Sequence, residues 1–252
     1  MSAIAVRVSP AWLELREPAD AAARSAELAA RLARHLPADR PLVIHDLGGG
    51  SGAMGRWLAP RLPGPQHWVV HDRDEDLLEI AVAVPPESAT VEARRSDITR
   101  LAPADLAGAH LITASALLDL LTADELDRML AACAGRPLLL ALSVVGRVAL
   151  MPADPLDAPI EAAFNDHQRR DGKLGPDAVS ALRGELIARP SPWRLDGEDA
   201  ELIAEWLRGW VAAACEQEPA LDARAYLGRR LAQAAAGELA VTVDHADVLV
   251  LP

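Results

Sequence analysis

Ile44-His45-Asp46-Leu47-Gly48-Gly49-Gly50-Ser51-Gly52 runs from an apolar stretch through an acid into glycines at alternate positions, followed by a helix-like segment. Glycines at a strand-to-helix corner let the backbone turn sharply and come close to a bound nucleotide where a Cβ would collide with it. Gly50-Ser51-Gly52-Ala53-Met54-Gly55 also satisfies the dinucleotide pattern G-x-G-x-x-G, which alone is weak evidence. Asp46 discriminates between the readings. A carboxylate two residues before the first glycine suits a ligand's ammonium end, whereas a pyrophosphate repels it. A second acid, Asp72, ends His67-Trp68-Val69-Val70-His71-Asp72 and follows Gly48 by 24 residues, a spacing at which an acid reaches ribose hydroxyls. A third lies in Arg95-Ser96-Asp97-Ile98.

These acids need elements to hold them. Strands are expected at Leu42–Leu47, Trp68–His71, Thr90–Arg94, Leu111–Ala114 and Pro137–Val145, alternating with helices at Gly52–Leu62 and Glu75–Ala83 and one begun by the capping box Thr122-Ala123-Asp124-Glu125. That alternation predicts an α/β fold, a doubly wound, mostly parallel sheet with helices on both faces. Before it, a short helix near Pro10–Leu15 and a longer one from Ala19 to His35 form a cap over residues 1–40. After Gly146 the expected order is a short extended piece at Arg147–Met151, a helix over Asp157–Arg170, another after Gly175-Pro176, an extended segment at Leu186–Ser191, long helices at Glu198–Glu216 and Leu221–Ala236, and a final strand over Glu238–Leu251. The extra helices before the last strand form a lid or a homodimer surface. With no internal repeat or low-complexity linker, residues 1–252 read as one domain with its cofactor-binding core at 41–145.

The acids and glycines in this order, D-x-G-x-G-x-G, then V-V-H-D, then S-D-I, resemble the class I S-adenosylmethionine-dependent methyltransferases, well over residues 41–145 and loosely beyond. The resemblance implies a seven-stranded Rossmann-like sheet and S-adenosylmethionine as cofactor, with S-adenosylhomocysteine as product. It implies that Asp46 and the backbone of Gly48, Gly50 and Gly52 line the methionine part and that Asp72 binds the ribose. Asp97 takes the adenine amine, and the Ile98 amide faces the adenine ring. Gly49, where the family often has Cys or another small residue, is a harmless departure. Ser115, Ala116 and Leu117 border the place of methyl delivery. Arg16 and Arg24 are candidates for the cofactor carboxylate, although a surface pair between Asp20 and Arg24 explains the same residues.

Other residues sort by position. His45 and His71 each precede a ligand acid by one residue and lean to the opposite face of their strands, so they read as structural, as does His110. His167 shares a helix face with Ile160 and Phe164 and is expected to point inward, where an imidazole serves as a general base. Trp206 and Trp210, i and i+4, read as core or subunit contact, and the flanking Trp12 and Trp193 adjoin the site only in sequence. Cys133 and Cys215 are far apart without metal-ligand spacing and read as buried thiols.

Composition narrows the partners. A net charge of −12 argues against nucleic acid, which is bound by clustered Lys and Arg, and Lys173 is the lone lysine. Hydrophobic residues make up 51% of the chain, but no run approaches a membrane span and no basic-then-apolar leader opens it, so a cytoplasmic protein without a membrane partner is expected. Thr113-Ala114-Ser115-Ala116-Leu117-Leu118-Asp119 lacks the D/N/S-P-P-Y/F tetrapeptide of enzymes that methylate base amines, and an acid at the strand end for a divalent ion. The expected function is metal-independent methyl transfer to O, N or C of a small metabolite. A non-catalytic S-adenosylmethionine-binding protein and a nicotinamide-dependent oxidoreductase are the alternatives.

Overall fold

A computed structural model describes residues 8–252, so the first seven residues of the expected cap lie outside the described residues. The first helix, α1 (Pro10–Ala23), is N-capped by Ser9, and α2 (Ala26–Ala33) by Ser25. The break between them falls at Arg24, whose ψ of 139° is extended, and not near residues 15–19 as expected. Pro18 is accommodated inside α1, and the helix stops where Ser25 supplies a side-chain acceptor for the next N-terminus, the Leu28 amide at 3.3 Å.

The core follows as β1 (Leu42–Leu47), α3 (Ala53–Leu58), β2 (Gln66–Asp72), α4 (Glu75–Ala83), β3 (Ala89–Arg95), β4 (Leu111–Ser115), α5 (Ala123–Cys133) and β5 (Leu138–Met151). The capping box at Thr122 and Glu125 opens α5 as expected. The remainder is α6 (Asp157–Gln168), α7 (Ala178–Ala181), β6 (Ile187–Pro190), β7 (Trp193–Leu195), α8 (Ala200–Gln217), α9 (Arg224–Ala235) and β8 (Ala240–Val250).

The strands form one doubly wound sheet in the order β3-β2-β1-β4-β5-β8-β6, with β7 also paired to β8. β1 to β5 pair in parallel, and β8 runs antiparallel to β5, β6 and β7. The expected architecture is therefore observed with one strand more than the expected seven. β7 is three residues long and follows Pro192, too short to show a period-two pattern. The separate extended piece expected at Arg147–Met151 is the continuation of β5, which passes through Gly146 at φ 72°. A Cβ there would lie 2.6 Å from Pro176 Cβ, so the sequence break that Gly146 suggests is a close packing contact within a strand.

One sheet face packs Leu42, Ile44, Trp68 and Leu139 against Leu28 and Leu32 of α2 and Trp57 and Leu58 of α3. The opposite face packs Leu47, Ile112 and Leu140 against Leu126 and Met129 of α5. The extra helices build a third cluster, in which Ile160, Leu207, Trp210 and Tyr226 cover Trp193 and Leu195 of β7 and Val241 of β8. Trp206 and Trp210 stack at 4.9 Å, with Trp210 inside this cluster. Strand order reverses between β1 and β4, and in open α/β sheets such a switch point opens a crevice at the strands' carboxyl ends, where ligands bind.

Candidate cofactor site at the sheet switch point

Asp46, one residue before the end of β1 at that crevice, is in register with Thr113 of β4 and fully buried. Thr113 Oγ1 donates to Asp46 Oδ1 at 2.7 Å, while Oδ2 has no hydrogen-bond partner among the described residues. Burial pushes the carboxyl up to about 7, against the opposing pull of the Thr113 hydrogen bond and of Arg24. The glycine loop passes directly over it. Gly48, Gly50 and Gly52 adopt φ of 63°, 52° and 82°, a region L side chains rarely enter. Glycine suits position 49 in this setting, because a Cβ there would lie 2.5 Å from Asp46 Oδ2 and 2.8 Å from Val70 Cγ1.

Asp72, at the end of β2, braces the same loop. Its Oδ2 accepts the Gly50 N–H at 2.9 Å and its Oδ1 the Asp74 N–H at 3.0 Å, and each oxygen keeps a lone pair for a further donor. Asp97 follows β3 next to this strand end, where Ser96 N donates to Asp72 O at 2.8 Å. Its carboxylate is already engaged, pairing with Arg73 and accepting from Thr99 N and Oγ1 at 3.1 and 2.7 Å, and it caps the short 3-10 turn Ile98–Arg100. Ile98 is buried.

Arg24 enters from the break between α1 and α2. It is only 5% exposed, and its Nη2 donates to Ser115 Oγ, at the end of β4, at 3.2 Å. Nε and Nη1 have no hydrogen-bond partner among the described residues. Desolvation lowers the guanidinium pKa, with Asp20 the strongest of the acids acting against it. The expected pair between Asp20 and Arg24 is present at 3.9 Å, but it is buried and not at the surface. Asp20 is committed elsewhere, to Arg16 at 3.0 and 3.1 Å and to Trp193 Nε1 at 2.9 Å, and this consumes Arg16 as well. Arg24 is thus the arginine with donors to offer.

Three residues that support or border this crevice carry no signal in the sequence. Arg56 of α3 binds Glu17 of α1 through Nε at 2.7 Å and Nη2 at 2.5 Å, and its Nη1 donates to Ser51 O at 2.6 Å, so it ties α1 onto the glycine loop. Asp247 of β8 holds the helix break beside Arg24, its Oδ2 accepting the Ser25 N–H at 2.7 Å. Asp119, in the turn after β4, is a buried carboxylate whose Oδ1 has no partner among the described residues. None carries a sequence motif, since each acts across elements remote in the chain. Among the described residues no group of three or more His, Cys, Asp or Glu is placed to hold a metal ion, and no helix is long and apolar enough to cross a membrane.

The histidines divide. His45 and His71 do lean away from the ligand acids, bonding each other at 2.9 Å and held near 4 by burial. His110 accepts the Val43 N–H through Nδ1 at 2.9 Å. His167 does not point inward as expected. It is 29% exposed and lies 3.4 Å from Glu216 of α8, itself 67% exposed. The end of α6 is an ion-pair surface, where Arg170 joins Glu216, so charge prevails over the apolar phase set by Ile160 and Phe164.

No protein-family model matches the chain, and no curated protein matches it. Among solved structures, the chain is similar to an SAM-dependent methyltransferase from Geobacter sulfurreducens in complex with S-adenosyl-L-homocysteine (14% identity, 97% of this chain and 99% of that chain, TM-score 0.45). It is likewise similar to an SAM-dependent methyltransferase from Thiobacillus denitrificans in complex with the same ligand (15% identity, 98% and 100%, TM-score 0.45). The cyclopropane synthase MmaA2 from Mycobacterium tuberculosis is similar at 12% identity over 96% and 94%, with a TM-score of 0.47.

Proposed function

We propose that this chain is an enzyme that transfers a methyl group from S-adenosylmethionine to O, N or C of a small metabolite, without a metal. One observation carries the reading. At the switch point a buried carboxylate oxygen, Asp46 Oδ2, and two buried guanidinium nitrogens, Arg24 Nε and Nη1, all lack hydrogen-bond partners among the described residues, and the two groups lie within electrostatic reach of each other. Unpaired buried charges are costly, so such a pair of opposite sign fits a zwitterion, an α-amino and α-carboxylate group. A pyrophosphate offers nothing to Asp46, which weighs against a nicotinamide cofactor.

The residues around the loop fit the rest of the group. Asp72 keeps acceptor capacity for ribose hydroxyls beside Gly50, and the three left-handed glycines leave no Cβ between the ligand and the backbone. Asp97 and the buried Ile98 at the end of β3 are the proposed adenine contacts, with Asp97 sharing its oxygens between that role and Arg73. When bound, S-adenosylmethionine supplies an electrophilic methyl on a sulfonium. The chain's part is to orient. Asp46 and Arg24 fix the amino-acid end, Arg56 holds α1 closed over the loop, and Leu117 covers Gly48, so that alignment supplies most of the rate. His167 has no part in this reading, because its imidazole lies among the charges of α8.

The test is transfer of label. Incubated with methyl-labelled S-adenosylmethionine and a protein-free metabolite extract, the protein is expected to label small molecules. Binding of the donor with no label leaving it would favour the non-catalytic alternative.

A further inference from the structure

Asp119 lies in the 3-10 turn Leu118–Leu120, immediately beyond β4. Two residues earlier, the Leu117 side chain crowds Gly48, with Cδ1 2.9 Å from where a glycine Cβ would stand, and Ser115 accepts from Arg24. The Asp119 side chain, two residues on, is 8% exposed, and its Oδ1 has no partner among the described residues. Its own backbone N–H, Arg16 and Lys173 favour the anion, but no side chain among the described residues makes a hydrogen bond to Oδ1. The same turn packs on the Gly175–Asp177 turn, with Leu174 N donating to Leu121 O at 2.8 Å. That turn in its place meets α6, because a Cβ on Gly175 would sit 3.1 Å from Gln168 and one on Gly146 2.9 Å from Asn165 Oδ1. In α6, Asn165 Oδ1 and Gln168 Oε1 are likewise buried and have no partner among the described residues. The Asn165 assignment follows from its amide nitrogen, which donates to Gly146 O at 2.7 Å.

We infer that Asp119 holds the methyl acceptor and accepts its proton, and that the acceptor is an amine; this rests on the methyl-transfer reading. A buried carboxylate oxygen without a partner among the described residues calls for a charged donor, which an ammonium is. In a dry pocket an ammonium and a carboxylate relax to the neutral amine and carboxylic acid, and burial already raises the proton affinity of Asp119. The nitrogen's proton passes to Asp119 Oδ1. The freed lone pair then forms the nitrogen–carbon bond as the sulfur–carbon bond breaks, its electron pair remaining on sulfur. The methylated ammonium departs, and Asp119 returns its proton to solvent.

Sinefungin, the analogue of S-adenosylhomocysteine with an ammonium-bearing carbon in place of sulfur, places a cation at the delivery point and needs no identified acceptor. By isothermal titration the wild type is expected to bind sinefungin more tightly than S-adenosylhomocysteine by about tenfold or more, the worth of a charge-assisted hydrogen bond. Asp119→Asn should bind S-adenosylhomocysteine as the wild type does and lose that preference, and Asp119→Glu should retain it. Equal affinities in the wild type, a preference kept by Asp119→Asn, or equal weakening of both ligands overturns the inference. Failure of the wild type to bind S-adenosylhomocysteine at all overturns the methyl-transfer reading instead. With labelled S-adenosylmethionine, a mixture of primary amines should be labelled, and labelling only of phenols or carboxylic acids in a parallel mixture contradicts an amine acceptor.

Discussion

Asp247 Oδ2 accepts the backbone N–H of Ser25 at 2.7 Å, so the antiparallel strand β8 holds the helix break from which Arg24 reaches the site. Its other oxygen accepts the Leu142 N–H at 2.8 Å, where β5 bulges and Leu142 takes a φ of 53°. One buried carboxylate thereby fixes the cap and the sheet together. Asp247→Ala is expected to lower stability by about 2–4 kcal/mol, since it strands two buried donors, and to weaken S-adenosylhomocysteine binding through Arg24. Denaturant unfolding and titration of the same variant check both parts.

Asp46 makes cofactor affinity depend on pH. Its carboxyl is pushed up to about 7, chiefly by burial, and only the anion attracts an ammonium. Affinity should therefore rise with pH to a plateau above 7, falling by about tenfold per unit below it. The effect on the free protein has the opposite sign. A carboxyl pKa raised on folding contributes stability that is complete below its ordinary value near 4 and lost as pH rises through about 7. Asp46→Asn should flatten both profiles while weakening binding throughout.

Gly49→Ala tests the packing under the loop. Its Cβ would fall 2.5 Å from Asp46 Oδ2, so the loop or the carboxylate must shift. A loss of about 1–3 kcal/mol is expected from overpacking of this kind, together with weaker S-adenosylhomocysteine binding. Wild-type stability and affinity would mean that the loop has room that the geometry denies it.

His167→Ala should change stability by no more than about 1 kcal/mol, the worth of an exposed ion pair, and leave S-adenosylhomocysteine affinity unaltered. Thermal unfolding and titration read both. A large loss of binding would place His167 nearer to the site than its pairing with Glu216 allows.

What was legible in the sequence is what is local. β1 was bounded at Leu42 and Leu47 and α4 at Glu75 and Ala83, because apolar runs and caps mark their own ends. Asp46, the glycines and Asp72 meet at one crevice because the spacing of strand ends sets them there. Contacts across the chain were not legible. Glu17 with Arg56, Asp247 with Ser25, and Arg24 with Ser115 join residues whose neighbours in sequence say nothing of the pairing. His167 shows the opposite failure, where an apolar stripe extended too far and ion pairs at the helix end took over.

The central claim, that the crevice at Asp46 and Arg24 is built for S-adenosylmethionine, is tested most directly by thermal unfolding with S-adenosylhomocysteine and with NAD or NADP in parallel. Ligand at about one hundred times its Kd stabilises the native state by about 2.7 kcal/mol, which corresponds to roughly 5–10 °C for a chain of this size. S-adenosylhomocysteine should produce that rise in Tm and the nicotinamide cofactors none, with Arg24→Met abolishing the effect. A rise with NAD or NADP alone, or an undiminished rise in Arg24→Met, would contradict the claim.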